Sequence, residues 1–317
     1  MMNLRHTLSF IICLLLTFES IGCNFQTRNV DYRSNYSLVS DPVSLQVNMR
    51  RINRIGQNDD GRGFLCYLYS YGFDEGNAGS YNRFMTNNRG DRLYYNIYNS
   101  NGFQNVLRDI DDISQNGEAI TGYALTRNTW YSDSFDFRLI IDNSVLVPTG
   151  NYTDTVAIKL YSGFPFNSPA LERTRNLNLR ITVDPLVYVS IVSVGAPHDP
   201  GQTSYTMNFG ELETGERLAA DLKVVSNTPY KVFFESQNGG VLKNTNPSSA
   251  SEVNYQLFLN SSLVTFPGPS TRVEIIDSSS VTPPGGETYN LEAEIGNVTS
   301  KEAGSYVESI TITAEAN

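Results

Sequence analysis

Residues 150–158 read GNYTDTVAI and residues 304–312 read GSYVESITI, so one motif recurs at an offset of 154 residues. Upstream, residues 93–98 (LYYNIY) resemble residues 253–258 (VNYQLF) at an offset of 160. Two matches in the same order predict a duplicated domain. Asp184-Pro185 lies between the copies and predicts a linker, because proline disfavours ladder pairing and restricts the residue before it.

Alternation of apolar and polar residues has the period of two that a β-strand requires. Turn-rich stretches, such as residues 74–80, 87–91 and 283–286, separate the alternating segments. Many short strands divided by turns are typical of a sandwich or barrel, so we predict an all-β fold of two immunoglobulin-like β-sandwich domains. The apolar rows are Val43, Leu45, Val47 and Met49; Tyr67, Tyr69, Tyr71 and Phe73; Tyr152, Val156, Ile158 and Leu160; Leu177, Leu179, Ile181 and Val183; and Tyr306, Ile310, Ile312 and Ala314.

The N-terminus has the pattern of a secretory signal. Charged residues at positions 5 and 6 precede an apolar run over residues 8–16, which is too short to span a bilayer stably. Small residues at Ser20 and Gly22 predict cleavage before Cys23. The signal peptide is then 1–22, the N-terminal domain 23–184 and the C-terminal domain 186–317. Gly22-Cys23 also resembles a lipoprotein signal, in which Cys23 would be acylated, and this alternative stays open.

Composition and charge exclude several classes of function. A formal net charge of −10 disfavours nucleic acid as a partner. The chain has neither a glycine-rich phosphate loop nor a GxSxG motif, and no pair of acids stands out as a glycosidase would require. Without residues 1–22, Cys23, Cys66 and the distant His198 do not make a metal ligand set. We therefore predict no enzyme activity, no metal and no cofactor.

Two smaller features have an ordinary explanation. Asp109, Asp111 and Asp112 form an acidic cluster, but their spacing lacks the glycine and the terminal glutamate of an EF-hand. We expect them in a solvated loop. His198 lies in the turn-rich stretch 195–201 (GAPHDPG), where we likewise expect a solvated side chain.

The repeated motifs resemble the spore coat protein U domain. Residues 150–160 and 304–312 are similar to the closing strand of that family, and residues 79–98 to its middle strands. In the second copy, Asn208-Phe209-Gly210 and residues 226–230 (SNTPY) are also typical of the family, whereas residues 101–142 match poorly.

The resemblance implies a function that composition does not. Domains of this family build archaic chaperone–usher pili, and a two-domain chain resembles the tip adhesin of such a fibre. The implied partners are a periplasmic chaperone, an outer-membrane usher and the donor strand of the next pilin subunit. The implied location is the pilus tip, reached by secretion through the periplasm, and the implied role is attachment and biofilm formation. A secreted carbohydrate-binding or coat-structure protein remains the alternative.

The two copies differ after the repeated motif. The first turns through residues 163–170 and adds an alternating strand, 176–183, whereas the second has no such segment before Asn317. We expect the C-terminal domain to lack its last strand and to accept one from another chain in a groove at Tyr306, Ile310, Ile312 and Ala314. About four or five uncovered apolar side chains correspond to roughly 10 kcal/mol gross, comparable with the stability of a whole domain. An ordinary sandwich that ends at an edge strand remains the alternative.

Two further segments bear on the position in a fibre. Residues 23–40 are polar and alternate poorly, so we expect a poor donor strand and a terminal position. The hairpin before residues 176–183 points away from the linker and carries Phe164, Pro165, Phe166, Pro169 and Leu171. These residues form either a contact patch for a host or abiotic surface or a plug of the sandwich end.

The two remaining cysteines of an exported chain predict one disulfide, between Cys23 and Cys66. Mass spectrometry of the secreted protein should find a 2 Da deficit, about two hydrogens, and a linked peptide. A free Cys66 beside an acylated Cys23 would contradict this prediction.

Overall fold

The computed structural model describes residues 24–36, 43–50, 68–99, 104–123, 130–142 and 146–317. Its regular structure is β, apart from two 3₁₀ turns at Gly76–Ala78 and Ile110–Asp112, so the predicted all-β class is confirmed. The predictions on residues 1–22, Cys23 and Cys66 fall outside the described residues. In the described part of the chain, no helix is long and apolar enough to cross a membrane.

The strands between residues 24 and 183 pair with one another and form what we term the N-terminal sandwich. One hydrogen-bonded path runs in the order β1-β3-β8-β6-β5-β9-β10-β2, and β4 joins β9 to β7. The strands are β1 (Asn24–Thr27), β2 (Val30–Asn35), β3 (Val43–Arg50), β4 (Leu68–Phe73), β5 (Phe84–Thr86), β6 (Arg92–Asn99), β7 (Ile120–Tyr123), β8 (Trp130–Ile141), β9 (Gly150–Ser162) and β10 (Ala170–Val183).

Strand β9 connects the two layers of this sandwich. Its first half pairs with β5 at Thr153, and its second half pairs with β4 between Ile158 and Ser162. Inward side chains of both layers are buried, as alternation along the strands requires. Tyr69, Tyr71 and Phe73 of the predicted row lie in this core.

The N-terminal segment is part of the same sandwich. Strand β1 pairs antiparallel with β3, and β2 pairs parallel with β10, from Val30 opposite Leu177 to Asn35 opposite Thr182. Val30, Tyr32 and Tyr36 pack against the core although they stay half-exposed. The polar, weakly alternating segment is therefore an edge strand of its own domain.

The acidic cluster is only partly solvated: Asp111 and Asp112 are exposed as expected, but the expectation is wrong for Asp109. Its carboxylate is buried, forms an ion pair with Lys159, and accepts hydrogen bonds from the Tyr161 hydroxyl at 2.7 Å and the Ile110 amide at 2.8 Å. Burial, with the bond to Asp109, raises the pKa of Tyr161. Asp109 is a structural anchor between β9 and the 3₁₀ turn.

The strands from residue 187 onwards form what we term the C-terminal sandwich. One layer has the order β11-β12-β18-β15-β14-β19, with β16 beside β15, and the other has the order β17-β13-β20. The strands are β11 (Val187–Val192), β12 (Arg217–Ser226), β13 (Tyr230–Ser236), β14 (Val241–Asn244), β15 (Glu252–Leu259), β16 (Ser262–Val264), β17 (Thr271–Ser278), β18 (Glu287–Ile295), β19 (Tyr306–Val307) and β20 (Ile310–Ala316).

The pairing pattern repeats between the two sandwiches. Strands β3, β8, β6 and β5 correspond in pairing order to β12, β18, β15 and β14, and β4 corresponds to β13. Strand β9 corresponds to β19 and β20 together, because these pair with β14 and β13. Within the described residues, no strand of the C-terminal sandwich occupies the place of β10 beside β9.

Candidate functional site

The repeated Gly-x-Tyr motif forms the same corner in both sandwiches. Gly150 has φ of 149° and Gly304 has φ of 154°, values that only glycine adopts readily. The Tyr152 hydroxyl donates to the Pro148 carbonyl at 2.7 Å, and the Tyr306 hydroxyl donates to the Glu302 carbonyl at 2.7 Å. A tyrosine that bonds back to the preceding backbone is a recurrent device of immunoglobulin-like sandwiches. The corner defines the equivalent strands.

An acidic residue anchors each of these strands at equivalent positions. Asp154 Oδ1 accepts from the Thr155 amide at 2.7 Å and the Asn77 amide at 3.0 Å. Glu308 Oε1 accepts from the Ser309 amide at 2.8 Å and the Asn238 amide at 3.1 Å.

Each carboxylate also accepts a hydroxyl proton. Asp154 binds the Tyr95 hydroxyl at 2.6 Å, and Glu308 binds the Ser236 hydroxyl at 3.0 Å. Burial, and then the Asp154 charge, raises the pKa of Tyr95, so its phenol stays protonated and continues to donate. The two sandwiches therefore match in local chemistry as well as in pairing order.

In the N-terminal sandwich the next place in the sheet is filled by β10. Strand β10 runs antiparallel to β9 from Ala170 opposite Ser162 to Val183 opposite Gly150. Its four inward apolar side chains are at most 6% exposed, and three apolar side chains of β9 in the same core are 0% exposed. These residues are Leu177, Leu179, Ile181 and Val183 on β10 and Val156, Ile158 and Leu160 on β9. In the register of the two strands Leu177 lies opposite Val156, and the other three β10 residues lie opposite Asp154, Tyr152 and Gly150.

In the C-terminal sandwich the equivalent place has no strand within the described residues. Ile310, Ile312 and Ala314 are the counterparts of Val156, Ile158 and Leu160, yet they stay half-buried. Strand β20 ends its three-stranded sheet, and we term it, with these three side chains, the open edge. Tyr306 is half-buried at the preceding corner, where its hydroxyl is held at 2.7 Å from both Glu302 O and Ser251 Oγ.

Strand β11 forms the other side of the uncovered region. Val187, Val189 and Ile191 are half-buried and belong to the same apolar cluster as the open edge. Strand β11 pairs with β12 alone and lies beside β20 without joining it in a ladder. An added strand sits about 4.8 Å from its neighbour, so its entry has to separate β11 from β20.

The outer side of β11 has different chemistry. Ser190 is buried, and its hydroxyl lies 2.8 Å from His198 Nδ1. His198 is half-buried, so the expectation of a solvated histidine is wrong. Because the Ser190 hydroxyl is shielded, this pair fixes the loop after β11 onto the strand. Among the described residues, no group of three or more His, Cys, Asp or Glu side chains could hold a metal ion.

The predicted apolar hairpin joins β9 to β10 at the end away from the C-terminal sandwich. Strand β9 has 13 residues, so this end lies roughly 40 Å from Gly150 at about 3.3 Å per residue. Phe166 is 60% exposed and Leu171 is 54% exposed, whereas Phe164, Pro165 and Pro169 are half-buried. Phe166 has a φ of 66°, in the left-handed region.

A further aromatic residue at this end is absent from the sequence predictions. Tyr123, at the end of β7, is 58% exposed. It pairs with Leu68, whose carbonyl accepts a hydrogen bond from Gly163 at 2.8 Å. Only the β4–β7 pairing brings Tyr123 to the hairpin, so local sequence patterns gave no indication of it. We term Tyr123, Phe166 and Leu171 the apolar tip.

The motif resemblance is confirmed over part of the chain. Residues 22–159 match the family model of the Spore Coat Protein U domain, a range that ends within β9. Comparison with curated proteins found no match.

Three solved structures of adhesive subunits are similar in arrangement. One is a chain of the CsuC-CsuE chaperone–tip adhesion subunit pre-assembly complex from archaic chaperone-usher Csu pili of Acinetobacter baumannii. It is 15% identical, the alignment covers 92% of this chain and 100% of that chain, and the TM-score is 0.43. CfaE, the adhesive subunit of CFA/I fimbria of enterotoxigenic Escherichia coli, is 12% identical. The alignment covers 92% of this chain and 93% of that chain, and the TM-score is 0.36. The CupB6 tip adhesin from Pseudomonas aeruginosa is 11% identical. The alignment covers 92% of each chain, and the TM-score is 0.31.

The counterparts Ile158 and Ile312 give a direct test of the open edge. Ile158→Ala should lower the free energy of unfolding of the N-terminal sandwich by about 2–5 kcal/mol, since it leaves a cavity. Ile312→Ala should lower that of the C-terminal sandwich by about 1 kcal/mol, because the side chain is already half-exposed. Hydrogen exchange of the slowest amides reports each sandwich separately.

The exposed neighbour Thr311→Ala serves as the control, with an expected change within about 0.5 kcal/mol. Equal losses for Ile158→Ala and Ile312→Ala would mean that the edge is covered in solution.

Proposed function

We propose that the chain is an adhesive subunit of a chaperone–usher pilus and that the open edge accepts a donor strand from another protein. The observation that carries this proposal is the difference in burial between equivalent residues. Val156, Ile158 and Leu160 are fully buried beside β10, whereas Ile310, Ile312 and Ala314 are half-buried at a sheet edge. The match of residues 22–159 to the Spore Coat Protein U domain supports the same assembly route.

The physical need for a donor strand follows from the edge itself. A free edge presents unpaired backbone groups beside an apolar row, which is a template for aggregation. β-Augmentation satisfies the backbone and covers the apolar side chains together. In the proposed route a periplasmic chaperone supplies the strand first, and an outer-membrane usher exchanges it for the strand of the next pilin subunit.

The N-terminal segment supports a position at the end of the fibre. A shaft subunit needs a free donor strand ahead of its first domain, but residues 24–27 and 30–35 are built into β1 and β2 of their own sandwich. Releasing them would unpair β10 on its outer side. A subunit that accepts a strand and donates none caps the fibre, so we place this chain at the pilus tip on the cell surface.

The apolar tip is the proposed attachment surface. Tyr123, Phe166 and Leu171 are exposed, and the hairpin lies at the end of the N-terminal sandwich that is remote from the open edge. The three residues lie at the same end of the sandwich, and exposed apolar side chains there offer a contact site for another apolar surface. Attachment to host or abiotic surfaces, and from it biofilm formation, is the function that this arrangement serves best.

The donor-strand proposal is tested by supplying a strand to the full chain. Residues 176–183 (NLNLRITV) already complement β9, so this sequence is fused after Asn317 through a flexible linker. Four newly buried apolar side chains should raise the melting temperature of the C-terminal sandwich by at least about 10 °C. The control fusion has serine at the four apolar positions and should leave the melting temperature unchanged.

One result would overturn the donor-strand proposal. If the C-terminal sandwich melts cooperatively at the same temperature in the apolar fusion, the serine fusion and the unfused chain, it is complete by itself. A secreted carbohydrate-binding or coat-structure protein would then be the better account.

The attachment proposal is tested with the double variant Phe166→Ser, Leu171→Ser. Adsorption to polystyrene should fall several-fold while the free energy of unfolding changes by no more than about 1 kcal/mol, because both side chains are exposed. Val194→Ser is the matched control, since Val194 is 61% exposed on the C-terminal sandwich. Unchanged adsorption, or a loss of several kcal/mol in stability, would contradict the role of the hairpin.

A further inference from the structure

The joint between the two sandwiches is held by a buried asparagine. Only Asp184, Pro185 and Leu186 separate β10 from β11. Asn227 Oδ1 accepts from the Leu186 amide at 2.7 Å, and Asn227 Nδ2 donates to the Asp184 carbonyl at 3.0 Å. The Asn227 amide donates to the Leu186 carbonyl at 3.1 Å. The linker is thus fixed to the turn between β12 and β13.

The same asparagine also contacts the body of the N-terminal sandwich. The Thr149 amide donates to the Asn227 carbonyl at 2.9 Å, and the Thr149 hydroxyl donates to the Val183 carbonyl at 2.9 Å. Thr149 directly precedes Gly150, the start of the Gly-x-Tyr corner. The C-terminal sandwich therefore sits against this corner at the point where β10 leaves the sheet.

The counterpart corner of the C-terminal sandwich is uncovered. Residues 301–305 are all exposed, and Ala303 stands in the place of Thr149. In the N-terminal sandwich, residues 146–150 are half-buried or buried. The chemistry of the corner is the same in both, so the difference lies in what is packed against it.

The direction of the strands links this corner to the open edge. Strand β10 runs antiparallel to β9 and places its last apolar residue, Val183, opposite Gly150. A strand added to β20 in the same register places its last apolar residue opposite Gly304. It leaves the sheet beside the exposed residues 301–305, as β10 leaves the N-terminal sandwich beside Thr149.

We propose that residues 301–305 are the docking face for the folded domain of the next subunit, which repeats the joint between the two sandwiches of this chain. The proposal rests on the donor-strand function and adds a second contact to it. The partner is a sandwich that follows its donor strand after a linker as short as residues 184–186. A turn of the kind formed by Ser226-Asn227-Thr228 offers its asparagine carbonyl to the Ala303 amide and its side-chain amide to the linker.

Two extensions of the full chain separate this docking from strand insertion. The first adds a copy of residues 163–184 after Asn317, which supplies the hairpin and strand β10 alone. The second adds a copy of residues 163–317, which supplies the same strand followed by a whole sandwich. A further copy of residues 163–184 after it covers the open edge of this added sandwich. In both extensions, hydrogen exchange is measured by mass spectrometry for residues 301–305 of the original chain and not for their added copy.

We expect at least a tenfold slower exchange over residues 301–305 in the second extension than in the first, because the docked domain shields Ala303. Asn227→Ala in the added copy alone should remove most of this slowing, while the gain in melting temperature from strand insertion persists.

Two outcomes distinguish a failure of the docking face from a failure of the donor-strand function. Equal exchange over residues 301–305 in both extensions would overturn the docking face and leave the donor-strand function intact. A melting temperature that neither extension raises would overturn the donor-strand function itself.

Discussion

The pairing of β9 with β10 is the interaction on which the rest of this molecule depends. It satisfies one side of a 13-residue strand and buries four apolar side chains in the same core as Val156, Ile158 and Leu160. Each fully buried aliphatic side chain contributes about 1.5–3 kcal/mol, so the pairing is comparable with the net stability of a domain. The C-terminal sandwich has the same corner and the same acidic anchor but no such partner strand in the described residues. Its apolar row therefore stays half-exposed.

The duplicated architecture shows why a strand from elsewhere would fit. Gly150 and Gly304 have nearly the same φ, and Asp154 and Glu308 accept equivalent main-chain amides. The geometry that receives β10 is thus reproduced beside β20. Polar anchors fix the edge in place, whereas its apolar side chains supply the driving force for addition of a strand. These two contributions are separable, because the anchors are formed without the added strand.

Sequence patterns predicted the duplication and several of the strands, because glycine at an unusual φ and alternation with a period of two can be recognised in the local sequence. They also predicted the open row at Ile310, Ile312 and Ala314 from its similarity to β9. They did not predict that residues 30–35 pair with β10, since an edge strand with half-exposed side chains has weak alternation. The burial of Asp109 and the position of Tyr123 depend on contacts with strands distant in sequence, and local patterns contain no information on such contacts.

The central claim is that β20 is unpaired on one side while β9 is paired on both. In an antiparallel edge strand, alternate amides point away from the sheet and exchange freely with solvent. Residue-resolved hydrogen exchange of the full chain by nuclear magnetic resonance tests this directly. We predict alternating fast and slow amides along Ile310–Ala316 and uniformly slow amides along Val156–Ser162. Uniform protection along both strands would contradict the account, because it would mean that β20 is already paired on its outer side.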